Sequence, residues 1–368
     1  MQKSATAIVP PVLGMLALLA TSWSGPDAAA APATISPVVG TGPDPRPRPY
    51  VSDLNYPVGE VDSVTLLDPA RQDWPVPLLI RYPLGATGPR PIVIWNHGGT
   101  PSVKGETRSE EWGRTFAAAG YVVIHPARVP VTDVTPFAAE CAVEGFVAPE
   151  ECAHYIAQSK FGTMTAVFVM KSLPQIEAQV PALSRLLDTA RIVVGGHSGG
   201  SPVPLALAGA ERRYAGAAQH DRHPRPIAFI ATGPHGADYG SFDDGFHEDS
   251  FNQIDARPFL WISGRGDETG PVSAANHEPS ETRVAAWLTS TRGNKYLSWD
   301  NDLAAVHETM DIHKCDQSAV QQAHCSAFAM LGVAFLDAFA RQRPEAVHYL
   351  QSSAYEGFSG GVIELHRR

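Results

Sequence analysis

Cysteine is scarce in this chain, with four among 368 residues. None of them falls in a C-x-x-C spacing, so a structural zinc site is a poor reading. Positive charge is also in short supply. The 28 Lys+Arg against 38 Asp+Glu leave a net charge of −10, and no basic stripe exists to neutralise phosphates, which excludes nucleic acid as a partner. After the N-terminal leader there is no apolar run of about 20 residues, the length a spanning helix needs, so no integral membrane segment is expected in the mature chain. Internal repeats are absent as well.

The ends and the cysteines suggest an exported protein. Lys3, the apolar stretch 8–20 and the small residues Ala28-Ala29-Ala30 have the order of a secretory signal, with cleavage expected after Ala30. No cysteine near that point offers an N-terminal lipid anchor. An even number of cysteines in an exported chain favours two disulfides. Of the three pairings possible, Cys141–Cys152 with Cys315–Cys325 is preferred, because each closes a short loop. The expected location is secreted or periplasmic.

Residues 31–60 are rich in Pro and Gly and read as an extended leader, followed by a domain over 61–345 and a C-terminal tail over 346–368. Strands are expected at 61–67, 77–82, 91–95, 121–125, 192–195, 227–231, 259–263 and 295–299. The later ones are short continuous apolar runs, as in a sheet covered on both faces. Helical patterns lie at 108–119, 155–172, 198–210, 281–290 and 318–340. Alternating strands and helices predict an α/β fold, a mostly parallel eight-stranded sheet with helices on both faces. Residues 129–157 break the rhythm and read as an insertion near the site or a long connection.

The most informative motif is Gly196-His197-Ser198-Gly199-Gly200, placed between the apolar run 191–195 and the small-residue stretch 201–208. A serine nucleophile must project from a sharp strand-to-helix turn, and the residues two before and two after it must be tiny because the backbones nearly touch. Such a serine needs a base, and the base needs an orienting acid. In a doubly wound sheet both belong on loops at the carboxyl ends of later strands. Asp267 follows the strand 259–263 through Gly264-Arg265-Gly266 and is the expected acid, with Glu268 its local rival. His307 follows the strand 295–299 and is the expected base, with His313 the weaker choice. The oxyanion of an acyl-transfer intermediate needs two N–H donors. Gly199 should supply one, and Gly99 or Thr100, in Asn96-His97-Gly98-Gly99-Thr100, the other.

Two further groups carry less. The acidic loop holding Asp238, Asp243, Asp244, His247, Glu248 and Asp249 matches no calcium-loop pattern and reads as solvated. Trp95, Trp261 and Trp299 lie in strands and read as core.

Together, Asn96-His97-Gly98-Gly99, Gly196-His197-Ser198-Gly199-Gly200, Gly264-Arg265-Gly266-Asp267 and His307 resemble the α/β-hydrolase superfamily. Within it the chain looks most like bacterial dienelactone-hydrolase-like and platelet-activating-factor-acetylhydrolase-like esterases, over roughly residues 60–340. That resemblance implies the α/β-hydrolase fold and hydrolysis of a small-molecule or lipid-like carboxylic ester by a Ser198-Asp267-His307 triad, without metal or other cofactor. True dienelactone hydrolases carry cysteine where residue 198 is serine. The acetylhydrolases place their acid after the sixth strand, where this chain has Ala231-Thr232-Gly233-Pro234-His235-Gly236. A peptidase or amidase on the same scaffold, or a non-catalytic binding protein derived from it, are the alternative functions.

Overall fold

Runs such as Ile92-Val93-Ile94-Trp95 can bury every side chain only if both faces of the strand are covered. Ile92 and Ile94 belong to one hydrophobic cluster, Val93 and Trp95 to another. The same alternation splits Ile192 and Val194 from Val193, and Phe259 and Trp261 from Leu260 and Ile262. These residues form a sheet with a separate core on each side. Burying each large aliphatic side chain is worth about 1.5–3 kcal/mol before the entropy of ordering it is counted. The computed structural model describes residues 48–99, 102, 104–131, 149–214, 217–237, 245–269, 277–313 and 315–368.

The strands are β1 (Val58–Asp68), β2 (Trp74–Pro83), β3 (Arg90–Asn96), β4 (Val122–Pro126), β5 (Leu187–His197), β6 (Glu211–Tyr214), β7 (Ala217–His220), β8 (Pro226–Thr232), β9 (Phe259–Gly264), β10 (Lys295–Asp300) and β11 (Ile363–Arg367). Nine of them make one sheet in the order β1-β2-β4-β3-β5-β8-β9-β10-β11, and β6 and β7 pair separately as a hairpin. From β4 across to β10 every neighbour is parallel. The antiparallel strands β1 and β2 close one edge and β11 the other.

The helices are α1 (Glu110–Ala118), α2 (Pro149–Lys171), α3 (Leu173–Gln179), α4 (Pro202–Ala208), α5 (Ala285–Thr289), α6 (Ala319–Phe339), α7 (Pro344–Gln351) and α8 (Ala354–Phe358). Helices α2 to α5 contribute Val169, Ile176, Leu205 and Ala286 to one core. The other core takes Trp112 and Phe116 from α1, Phe328, Leu331 and Phe335 from α6, and Tyr355 from α8. Helix α6 is apolar and long enough to cross a membrane by composition alone, but most of that length is buried against the sheet.

The architecture is therefore mixed α/β with a large, mostly parallel sheet and helices on both faces. Two expectations need correction. The sheet has nine strands where eight were expected, because residues 346–368 hold α8 and the edge strand β11 rather than a plain tail. The last part of the leader also has fixed partners: Tyr50 Oη and Ser52 Oγ donate to Asp337 Oδ2 at 2.7 and 2.8 Å, tying that segment to α6. Most of the 129–157 segment, 132–148, lies outside the described residues, while 149–157 opens α2.

Candidate active site

Three strand ends converge where the parallel block reaches its carboxyl edge, the place where open α/β sheets bind ligands. Ser198 follows β5, Asp267 follows β9 and His307 follows β10, with β8 running between β5 and β9. Ser198 has φ +48°, a left-handed value that costs a β-carbon-bearing residue energy. The turn is sharp because Ser201 N donates to Ser198 O at 2.7 Å, closing a 3-10 turn over Ser198–Gly200 ahead of α4. A Cβ at Gly196 would strike the Gly200 carbonyl, and one at Gly200 the Asn96 carbonyl. Those two positions must therefore be glycine, as the motif requires.

His307 Nδ1 donates to Asp267 Oδ1 at 2.6 Å, and Ser263 Oγ donates to Oδ2 at 2.7 Å. Asp267 is fully buried. Burial opposes its charge, but the Arg283 guanidinium, 3.4 Å from Oδ1, and the His307 contact outweigh it and hold the carboxyl below its ordinary range. Its partner His307 presents the other ring nitrogen, Nε2, buried and without a hydrogen-bond partner. A serine–histidine bond is thus not made in this conformation; such bonds are often long before substrate binds. The two loops are nonetheless in contact. The His197 ring packs on that of His307 with centroids 4.8 Å apart, and His197 Nε2 lies 3.3 Å from the His307 carbonyl. Burial first, and then the neighbouring His307, push the His197 imidazole well below its usual range, so it is neutral and can donate from Nε2 to that carbonyl. The rivals lie apart: Glu268 and His313 are exposed.

Gly98 lies against Ser198, close enough that a Cβ there would sit 3.1 Å from Ser198 Cβ. The Ser198 carbonyl is turned toward Ser201, so the N–H of Gly199, across the same trans peptide, points the opposite way. Gly99 adopts φ +70° beside it. Thr100 lies outside the described residues.

The chain matches no protein-family model and no curated protein.

Three further residues were given no role from the sequence, although His97 stands in the motif Asn96-His97-Gly98-Gly99. Arg128, just past β4, donates from Nη1 to the Gly199 carbonyl and from Nη2 to the Gly99 carbonyl, bridging the two glycine loops. His97 is buried and pushed down to about 3 by burial and then by the charge of Arg128. It is neutral, with Nε2 accepting from Arg128 N at 3.2 Å and Nδ1 placed to donate to Gly98 O at 2.8 Å. Arg283, in the turn Ser280–Val284, reaches Asp267 from sixteen positions along the chain. No local spacing announces the contacts of Arg128 or Arg283. Their only clue is a position near the carboxyl ends of strands.

The weaker features resolve simply. Asp249 forms a two-pronged contact with Arg213 at 2.8 Å on both oxygens, while Asp238, Asp243 and Asp244 lie outside the described residues. Trp95 and Trp261 are fully buried and Trp299 packs partly buried against the core. Cys315–Cys325 is disulfide-bonded, closing a loop of separation 10. The Cys141–Cys152 pairing lies outside the described residues.

Proposed function

We propose that this protein is a serine hydrolase of carboxylic esters with the α/β-hydrolase fold, exported from the cell. Ser198 Oγ attacks the ester carbonyl. His307 takes its proton at Nε2 and passes it to the leaving alcohol, and Asp267 holds the imidazolium that forms. N–H groups of Gly199 and of the Gly99–Thr100 loop receive the negative charge on the former carbonyl oxygen, where one such donor is typically worth about 2.7–4 kcal/mol. Water activated by the same histidine then hydrolyses the acyl-enzyme. The substrate is a small-molecule or lipid-like ester.

The observation that carries the reading is the pairing of His307 with a buried, ionised Asp267 at 2.6 Å, on a loop packed against His197, the residue before a serine held at φ +48° between two obligatory glycines. A folded protein keeps a strained serine and an oriented imidazole on adjoining loops at a cost, and acyl transfer is a chemistry that uses both. Export is supported by the N-terminal leader and by the Cys315–Cys325 disulfide.

The test is Ser198→Ala assayed on a short-chain p-nitrophenyl ester. The variant is expected to lose several orders of magnitude in kcat with its folded spectrum intact. Activity near wild type in the variant would contradict the proposal.

A further inference from the structure

A second carboxylate stands behind the pair. Arg283 and Glu278 are as deeply buried as Asp267. Arg283 Nη2 lies 3.0 Å from Glu278 Oε2 and donates to Thr269 Oγ1 at 2.8 Å, and Nη1 donates to the carbonyls of Gly233 and Pro234, both at 3.1 Å. Glu278 Oε1 accepts from Gly236 N at 2.7 Å. One guanidinium thus joins the acid loop, the loop after β8 and its own turn, with one counter-charge of its own.

The charge count of this buried cluster is what matters. Asp267 and Glu278 contribute two negative charges and Arg283 one positive, so the cluster carries a single negative charge while His307 is neutral. Protonating His307 brings it to zero. Buried charges favour neutrality strongly, so the cluster is matched to the imidazolium that forms during acyl transfer.

We propose that Arg283, balanced by Glu278, is a positioning residue that sets the pH at which the Asp267–His307 pair takes up its proton. Its catalytic meaning rests on the hydrolase reading above. Among the described residues, Ser263 on Asp267 Oδ2, the His197 ring on His307, and Asp311, 3.7 Å from His197 Nδ1, also face the pair, while Glu308, next in the chain, is exposed. None of these adds a second positive charge.

The two substitutions have opposite expected signs, which a merely structural role does not produce. Arg283→Met removes the cation, so the pair binds its proton more readily, and the acid limb of the kcat/KM profile moves to higher pH by about 1–3 units. Arg283→Lys restores most of that shift. Glu278→Gln keeps an acceptor for Gly236 N–H but removes an anion, so the limb moves to lower pH. The experiment measures pH profiles of kcat/KM for wild type and the three variants, with an NMR titration of the Asp267–His307 pair in a Ser198→Ala background. The titration needs no turnover, so it decides the proposal even if the protein hydrolyses no ester. Opposite shifts in both readouts support the inference. Unmoved midpoints, or midpoints moved in one direction by both changes, overturn it. If Arg283→Met does not fold, the sign of the Glu278→Gln shift decides alone.

Discussion

Behind the candidate site, Asp311 is held where a carboxylate is poorly accommodated. Burial pushes its carboxyl up to about 7 from an ordinary value of 3.8, and the single hydrogen bond from Ser109 Oγ at 3.0 Å only partly offsets that. The folded chain therefore binds a proton that the unfolded chain has already released. The stabilising contribution is complete below the unfolded value and is lost as pH rises through the folded one. Asp311→Asn should accordingly be close to wild type in stability at about pH 4 and more stable at about pH 8, by on the order of a few kcal/mol. Urea unfolding at both pH values checks this; a gap that does not widen with pH contradicts it. Asp267 has the reverse sense, since its depressed carboxyl stabilises the fold above its unfolded value and ceases to do so as pH falls. Residues of this kind divide sharply in how legible they were. Ser198, Asp267 and His307 stand in motifs whose local spacing reflects a turn. Arg128, Glu278 and Arg283 act through contacts between distant segments and have no such spacing.

Among the elements, strands were readable where burial on both faces forces an unbroken apolar run, as in β3, β5 and β9. Strand β11 reads Ile363-Glu364-Leu365-His366-Arg367, half polar, because it is an edge strand with one face on the core. Its short alternation is weak beside the helices preceding it, which is why the tail did not read as part of the sheet. The hairpin β6–β7 was hidden by charge: Arg212 is fully buried and donates to Thr163 Oγ1 and, at 3.2 Å, to Pro202 O. Strand β11 is nonetheless anchored, since Ile363 is 1% and Leu365 3% exposed. Ile363→Ala is expected to cost about 2–5 kcal/mol in unfolding free energy. A denaturant midpoint unchanged from wild type would show that the edge strand is dispensable.

For the whole molecule, the sheet order explains why the loops bearing Ser198, Asp267 and His307, far apart in sequence, lie at one edge. Strands β5, β8, β9 and β10 are parallel neighbours, so the loops at their carboxyl ends share one rim. Along β9 and β10 the register is continuous from Phe259↔Lys295 to Gly264↔Asp300, which sets the loops bearing Asp267 and His307 side by side. The disulfide Cys315–Cys325 lies between the His307 turn and the core of α6, joining that turn's downstream segment to the buried helix. In the loop-entropy picture it contributes about 3 kcal/mol. The central claim is that this rim presents an activated serine. The direct measurement is the mass of the intact protein, and then of its peptides, after reaction with a fluorophosphonate. The account predicts one adduct per chain, carried by Ser198 and absent from Ser198→Ala. No adduct, or one carried by another residue, would contradict it.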